Sequence, residues 1–243
     1  MRARRVRWAA LPIFLLIACA VAGRAGAAPA AETLHYRWHL EGFLGAIAGL
    51  FMPDEGVGSL THVELPDGRW RSELLITVDG TAGGDFFRYG SEWVPATGVT
   101  ERAWSSQRWR GEPKQKASEV GQTGVIDIAT AVHLLRLSPP REPLELEIWS
   151  DGKLYPVLVE PRGVEDRKVG GRTVAARHFT VRPLVRPERR VWKGEMDLWL
   201  AIDERSTPVE IRVARSSARV RLELVQGLSP ATAGAAAAEG EAK

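Results

Sequence analysis

Hydrophobic and polar residues alternate at many points along this chain, beginning at Thr33. Between Thr33 and Leu40 the apolar residues Leu34, Tyr36 and Trp38 fall on one face, and polar residues occupy the other. A period of two is typical of a β-strand that buries one face. The first regular segment is therefore predicted to be a half-buried strand.

Alternating runs that flank turn residues predict two β-hairpins. Proline presets the backbone angle that a tight turn needs, glycine accepts a positive φ, and Asp-Gly between alternating runs is a strong hairpin signal. Residues 60–65 and 70–78 flank Pro66-Asp67-Gly68, and residues 144–149 and 154–160 flank Ser150-Asp151-Gly152-Lys153.

The same pattern predicts further strands in the second half of the chain, at 174–182, 195–202, 209–214 and 219–225. Short strands at regular spacing with turn residues between them indicate an all-β, mainly antiparallel domain. Removing Trp199 from this core should cost on the order of 3 to 5 kcal/mol. Removing Arg221, which faces the other way from Leu222, should cost little.

One segment breaks the alternation and predicts a helix among the strands. Ile128, Ala131, Val132 and Leu135 follow the i, i+3, i+4, i+7 spacing of a helix face. Asp127 can cap the helix, and the two prolines that follow Ser138 end it. The fold class is therefore a curled sheet or open half-barrel with one central α-helix.

A second segment with helical spacing, Gly42–Met52, is strongly apolar and interrupted by Gly45 and Gly49. It is too short to span a membrane, so its apolar side chains need something to cover. One interpretation makes it a plug in the core, and the other a movable lid that contacts a ligand or a membrane. The candidate contact residues are Phe43, Leu44, Ile47, Leu50 and Phe51.

The first 27 residues have the order of a bacterial secretory signal peptide. Four arginines within the first seven residues precede an apolar run of fifteen residues from Trp8 to Ala22, and Ala25-Gly26-Ala27 matches the small-residue cleavage site. A membrane-spanning helix needs roughly twenty apolar residues. We therefore expect an exported protein, either periplasmic or anchored to the outer membrane on its periplasmic side.

Cys19 leaves two processing routes open. Leu16-Ile17-Ala18-Cys19 resembles a lipobox, whose cysteine becomes a lipidated N-terminus, which makes Cys19 a candidate lipidation site. In the alternative, Cys19 is discarded with the signal peptide. Both routes leave the chain without a disulfide or a reactive thiol, since it has one cysteine.

Export also changes the charge and the domain limits. The full sequence carries 33 basic and 30 acidic residues, and loss of the five arginines of residues 1–27 leaves 28 against 30. This balance argues against nucleic acid as a partner. Residues 32–227 are expected to form a single β-rich domain, and residues 228–243, rich in alanine and glycine, a disordered tail.

No metal, cofactor or catalytic residue is predicted, and the chain is expected not to be an enzyme. His35 and His39 share a strand face but would lie roughly 13 Å apart, too far for one ion. His62, His133 and His178 are not clustered in the sequence, and no nucleophile-elbow or Walker motif is present.

Two other groups of residues have competing interpretations. The acid pairs Glu165-Asp166 and Asp203-Glu204 are interpreted as solvated turns, because neighbouring strand residues point to opposite faces. Three tryptophans, at positions 104, 109 and 192, lie among arginines in the sequence. They could bind an anionic amphiphile, or they could belong to an ordinary polar strand face.

With these elements in order, the second half of the chain resembles a known bacterial family. The pieces are the helix segment 127–136, the hairpin turn 151–155, the Gly170-Gly171-Arg172-Thr173 turn, and the run 193–205 followed by Pro208-Val209. Their order and spacing across residues 120–225 resemble the family called domain of unknown function 3108. The resemblance implies an exported, β-rich envelope protein with no assigned reaction.

The pattern is also similar to the open half-barrels of periplasmic lipoprotein carriers, an analogy of fold alone. The first hypothesis is a non-catalytic cell-envelope protein that binds or shields an apolar or lipid-like ligand, with peripheral or lipid-anchored membrane association. The second is a structural or adaptor protein that binds another envelope protein, and the third is an enzyme of unknown type. A filled hydrophobic sheet interior would favour the second over the first, and a cleft with a buried histidine or carboxylate pair would favour the third.

Overall fold

The computed structural model describes residues 31–41, 54–78, 84–215 and 218–226. These residues form thirteen strands and one helix, so the predicted all-β class with a single helix is confirmed. In chain order they are β1 Ala31–Glu41, β2 Glu55–Glu64, β3 Trp70–Val78, β4 Phe86–Val94, β5 Val99–Trp109, β6 Glu112–Thr123, β7 Val125–Ile126, α1 Ile128–Leu137, β8 Leu144–Ser150, β9 Lys153–Val169, β10 Arg172–Pro183, β11 Gly194–Ala201, β12 Pro208–Arg215 and β13 Ala218–Gln226.

The strands form one sheet in the order β6-β5-β4-β3-β2-β1-β13-β12-β11-β10-β9-β8-β7. Neighbouring strands are antiparallel except β7 and β8, which are parallel and joined through α1. The chain thus runs by hairpins from β1 to one edge, crosses to the other edge, and returns to β13 beside β1. Gly124, with a φ of 74°, is the single residue between the two edge strands.

The two edges meet through side chains, which makes the sheet a nearly closed barrel. Ala103, Val125 and Trp149 form a buried cluster between β5 and the β7–β8 edge. The hydroxyl of Thr100 donates to the carbonyl of Val125, and that of Ser105 donates to Asp151 Oδ1 at 3.3 Å. We call this contact the seam.

The main core lies inside the barrel and follows the predicted alternation. Leu34, Tyr36 and Trp38 of β1 point inward and are at most 5% exposed. Tyr36 is fully buried, and its hydroxyl donates to the carbonyl of Pro208 at 2.9 Å. Among the described residues, no helix is long and apolar enough to cross a membrane.

Helix α1 packs into one end of the barrel and closes that end. The carboxylate of Asp127 caps the helix by accepting from Ala129 N at 2.7 Å and Thr130 N at 3.4 Å, as predicted. The helix packs against β3 and β4, and Val132 and Leu135 join the core. We call this the plugged end, where β1 and β3 begin and β4 ends.

Trp199 is buried as predicted, but it faces outward. Its neighbours Leu198 and Leu200 point into the core, whereas Trp199 is 2% exposed on the opposite face. His178 stacks on its ring at 4.3 Å between centroids, and the Arg167 guanidinium carbon lies 3.8 Å from the ring centroid. β9 curls far enough to contact β12 and β13, which helps to cover this face.

A buried carboxylate on the outward face, beside Trp199, forms ion pairs with arginines of β12 and β13. Glu210 is 2% exposed, and its oxygens lie 3.0 Å from Arg221 Nη2 and 2.7 Å from Arg212 Nε. Arg221 Nη2 donates to Glu210 Oε2, whereas the Arg212 contact lacks hydrogen-bond geometry. Arg221 therefore points outward as the sequence predicted, yet it is the partner of a buried charge.

The sequence predicted that removal of Arg221 would cost little stability, and the structure predicts a substantial loss instead. Arg221→Ala should lower the free energy of unfolding by about 1 to 3 kcal/mol, because it deprives buried Glu210 of a charge-assisted hydrogen bond. Arg219→Ala, an exposed arginine two residues earlier on the same face, is the matched control and should change stability by about 0.5 kcal/mol or less. Urea titrations measure both, and equal losses would contradict the assignment.

Candidate functional site

The barrel end opposite the plug is lined by apolar side chains that the structure only partly covers. Leu40 pairs with Val220, and Val220 with Val213, across β1, β13 and β12. Around the other wall, Ile76 pairs with Phe87, whose ring lies 5.9 Å from that of Trp109. All point inward and are half-buried against the core. We call this ring the apolar mouth: Leu40, Ile76, Phe87, Trp109, Val213 and Val220.

Fully buried side chains form the floor of the apolar mouth. Trp38 is 5% exposed, and Leu222 and Ile211 are 0% exposed. These three pair across β1, β13 and β12, one step further into the barrel than the mouth residues of the same strands. Trp38 also donates from Nε1 to the carbonyl of Thr77 at 2.7 Å, which fixes its indole across β2. The barrel interior beneath the mouth is therefore filled by side chains.

The described residues on either side of the predicted contact segment meet at this mouth. Leu40 N donates to the carbonyl of Asp54 at 2.7 Å, so the two ends of the β1–β2 connection are joined. The candidate contact residues Phe43, Leu44, Ile47, Leu50 and Phe51 lie outside the described residues, as does Cys19.

The plugged end contains a pair of histidines that the sequence did not bring together. His62 on β2 and His133 on α1 stack with centroids 3.3 Å apart and planes 15° from parallel. Trp70 lies edge-on to both rings, at 4.8 and 5.2 Å. His62 shares a hydrogen bond with Ser72 at 3.0 Å, whereas both ring nitrogens of His133 are buried without a partner in the described structure.

Burial keeps both rings neutral. It lowers the pKa of His62 to about 4, helped by the charge of Arg136. It lowers the pKa of His133 to about 2, with further contributions from His62 and Arg136. Glu32 bonds Arg136 at 2.5 Å. Burial alone would raise the pKa of that carboxyl, but the arginine holds it below its usual range.

This histidine pair is enclosed rather than set in a cleft. Stacked rings do not direct their nitrogens at one ion, and no three metal-ligating side chains converge among the described residues. Two surface depressions that described residues line lie away from this pair. One is a small opening at the seam beside Asp151, and the other is an open groove of about 540 Å³ beside Lys153 and Arg189.

The remaining acidic candidates have structural roles. Asp127 is 1% exposed, and burial raises its pKa against the hydrogen bonds that it accepts from Ser91 and Thr130. Asp203 accepts from Arg205 N and Thr207 N in the β11–β12 turn. These bonds are those of a cap and a turn. Glu165-Asp166, in contrast, lies within β9 and not in the turn that the sequence predicted.

The ring of His178 lies between two carboxylates on the outward face. Its Nδ1 lies 2.9 Å from Glu165 Oε1, and its Nε2 lies 3.2 Å from Asp197 Oδ1. Both nitrogens are thus taken by carboxylates, while the ring stacks on Trp199. His35 and His39 lie on the outward face of β1 as predicted.

The three tryptophans that the sequence grouped with arginines lie in three different places. Trp109 belongs to the apolar mouth, with the Arg110 guanidinium 5.9 Å from its ring centroid. Trp192 is 6% exposed and packs over Gly194. Trp104 lies on the outward face of β5. Their different positions follow from the strand pairing, which cannot be deduced from their proximity in the sequence.

Comparison with known proteins gives a likeness of architecture. No family model and no curated protein matches the chain. A β-barrel-like protein of domain of unknown function DUF1849 from Brucella abortus is 10% identical, covers 80% of this chain and 95% of its own, and has a TM-score of 0.38. Membership of the 3108 family stays a prediction.

Two mycobacterial structures are also similar in outline. Lipoprotein LppX from Mycobacterium tuberculosis is 10% identical, with 81% of this chain and 88% of that chain covered and a TM-score of 0.30. LprF from Mycobacterium bovis is 7% identical, with 82% and 87% covered and a TM-score of 0.24.

The histidine pair predicts acid-sensitive stability. The unfolded chain binds protons near the ordinary histidine pKa of 6.5, whereas the folded chain, with pKa values of about 4 and 2, does not. Their contribution to stability is therefore complete above pH 6.5 and is lost as the pH falls. His133→Phe should reduce the loss by about 1 kcal/mol per pH unit between about pH 6.5 and 4.5.

Urea titrations at about pH 7, 6 and 5 measure this slope. The lower limit keeps the titration of Glu32 and other carboxylates out of the comparison. His35→Gln, on the exposed outward face of β1, is the control and should keep the parent slope. An unchanged slope in His133→Phe would count against the buried neutral pair.

Proposed function

We propose that this protein is a non-catalytic cell-envelope protein that binds the apolar part of a lipid-like ligand at the apolar mouth. The observation that carries the proposal is the ring of inward-facing, half-buried apolar residues at the barrel end opposite α1. Export through the N-terminal signal peptide, with or without lipidation at Cys19, is part of the same proposal.

The chemistry of the mouth supports an apolar ligand. Concave sites that bind small molecules are mostly apolar with few polar groups, and a contiguous apolar surface marks an interaction site. Leu40, Ile76 and Phe87 present such a surface over a floor of buried residues. The Gly42–Met52 segment adds five large apolar residues to a connection that starts and finishes at this rim.

The filled interior limits how the ligand would bind. Side chains such as Tyr36, Leu198 and Ile211 are fully buried along the barrel axis, so an acyl chain would lie across the mouth rather than run through the barrel. The segment 42–53 would then cover it. This mode needs no enclosed cavity and no catalytic group.

A structural or adaptor role is the second candidate, and the filled interior favours it. β6 also lies at the edge of the sheet with most of its residues exposed. An exposed edge strand is a surface on which another chain can pair. In this alternative the apolar mouth would contact a partner protein instead of a lipid.

Two adjacent phenylalanines allow binding at the apolar mouth to be distinguished from binding at the outer surface of the barrel. Phe87 points into the mouth, whereas the ring of its neighbour Phe86 lies between Arg88 and Arg108 on the outward face. Phe87→Ser should weaken binding of a dansyl-labelled fatty acid about tenfold or more, since it removes a large apolar contact. Phe86→Ser is the matched control and should bind as the parent does.

Equal affinity of the two variants would exclude the mouth as the binding surface. If the parent protein binds neither the dansyl fatty acid nor vesicles of phosphatidylethanolamine and phosphatidylglycerol, the ligand-binding proposal fails. The adaptor role would then be the better account.

The paired substitution of Phe43 and Phe51 by serine separates a lid from a plug. A lid should keep the melting temperature of the parent and lose fatty-acid binding. A core plug should lose several kcal/mol of folding stability, on the order of the cost of truncating buried aromatic residues. Thermal melts and the fatty-acid titration on the same preparation give both results, and unchanged binding with a collapsed melting temperature would rule out the lid.

A further inference from the structure

Trp104 lies flat on the outside of the barrel, away from the apolar mouth and the core. Its neighbours Ala103 and Ser105 point inward and are buried, so Trp104 points outward. It pairs across the ladder with Gly90 on β4. A Cβ on Gly90 would lie 2.6 Å from Trp104 Cζ2 and 2.8 Å from its Cε2. One face of the indole therefore rests directly on the β4 backbone.

The other face of this indole is open. On the β6 side its cross-strand neighbour is Ala117, which is small and exposed. Within the described parts of the chain, no ring–ring or cation–π contact involves Trp104, and no hydrogen bond from its Nε1 is found. A flat aromatic surface between a glycine and an alanine, with a free N–H, is a platform for a flat apolar face. We call it the Trp104 platform.

Two loosely paired arginines flank the Trp104 platform on the same face. Arg88 and Arg102 lie two residues before Gly90 and Trp104 on their strands, with side chains 44% and 53% exposed. Their nitrogens lie 3.5 Å from Glu73 and 3.9 Å from Glu119. Charge-assisted hydrogen bonds are shorter, about 2.7 to 2.9 Å. Both guanidinium groups can therefore donate to an incoming anion.

The residues beside the Trp104 platform include polar side chains that can form hydrogen bonds with hydroxyl groups. Ser106 follows on the same face of β5 and pairs with Arg88 on one side and Gln115 on the other. An acyl chain would need apolar neighbours in these positions. A nucleic acid would need a row of cations, whereas here the two arginines alternate with Glu73, Glu92 and Glu119.

We propose that the Trp104 platform binds an anionic saccharide. The C–H face of a sugar ring stacks on the indole, and Arg88 and Arg102, which lie on opposite sides of the ring, donate to separate carboxylates or phosphates of the saccharide. Ser106 and Gln115 bond its hydroxyls. This site is separate from the apolar mouth and does not depend on the fatty-acid proposal. Export, which is part of the proposed function, would bring the protein into contact with sugar acids of the cell envelope.

Calorimetric titration with tetragalacturonate, and with its methyl ester as the uncharged counterpart, tests the proposal. The parent protein should bind the acid more tightly than the ester. Trp104→Leu keeps an apolar cover on Gly90 but removes the flat ring, and it should weaken both by about tenfold. Arg102→Ala should weaken binding of the acid alone and reduce the preference for it, because Arg88 remains.

Arg172→Ala, an exposed arginine on β10, is the control and should bind as the parent does. Thermal melts verify that each variant is folded. The proposal is overturned if Trp104→Leu binds tetragalacturonate as well as the parent, or if the parent does not bind it. It is equally overturned if inorganic phosphate binds as tightly as the tetramer, or if a single-stranded oligonucleotide binds more tightly.

Discussion

The antiparallel ladder between β1 and β13 is the contact on which the rest of the barrel depends. Every other antiparallel ladder among the described strands joins consecutive strands of the chain. Without β1–β13 pairing the chain would form two open meanders, each with an apolar face in water. The ladder places Tyr36 beside Leu224 and Trp38 beside Leu222, so the two faces become one core. Closing so long a loop costs entropy that grows only slowly with length, and burial of this core offsets it.

Alternation predicted the strands that bury one face and expose the other. It missed β4, β5 and β6, because their environment does not impose that pattern. β6 is exposed over most of its length at the sheet edge, and β5 turns Ala103 and Ser105 toward the seam, where small and polar residues fit. Helix α1 was predictable, since its cap Asp127 and its apolar spacing are local signals. The stacked His62 and His133 could not be predicted, because they are joined only by the packing of α1 into the barrel.

The outward face of Trp199 shows that a buried aromatic residue need not mark the core side of a strand. Burial there comes from a stacked histidine, from the guanidinium of Arg167, and from the curl of β9 toward β12 and β13. Glu210 is buried in the same layer. The sequence shows these residues as alternating charges, which is the pattern of a solvated face. The layer arises only when the β9–β10 hairpin bends over its neighbours. Contacts of this kind, between strands far apart in the chain, produce no periodic pattern of apolar residues in the sequence.

The arrangement of β1 and β13 also determines how the barrel would respond to force. β1 begins and β13 ends at the plugged end, side by side, since His35 pairs with Gln226. A pull applied through the two chain ends would separate these strands one hydrogen-bonded pair at a time, as a zipper opens, instead of shearing the whole ladder at once. The domain would therefore be mechanically soft along this direction even where it is thermodynamically stable. Tension on a tethered N-terminus alone, with the C-terminal side free, would not load the ladder in this way.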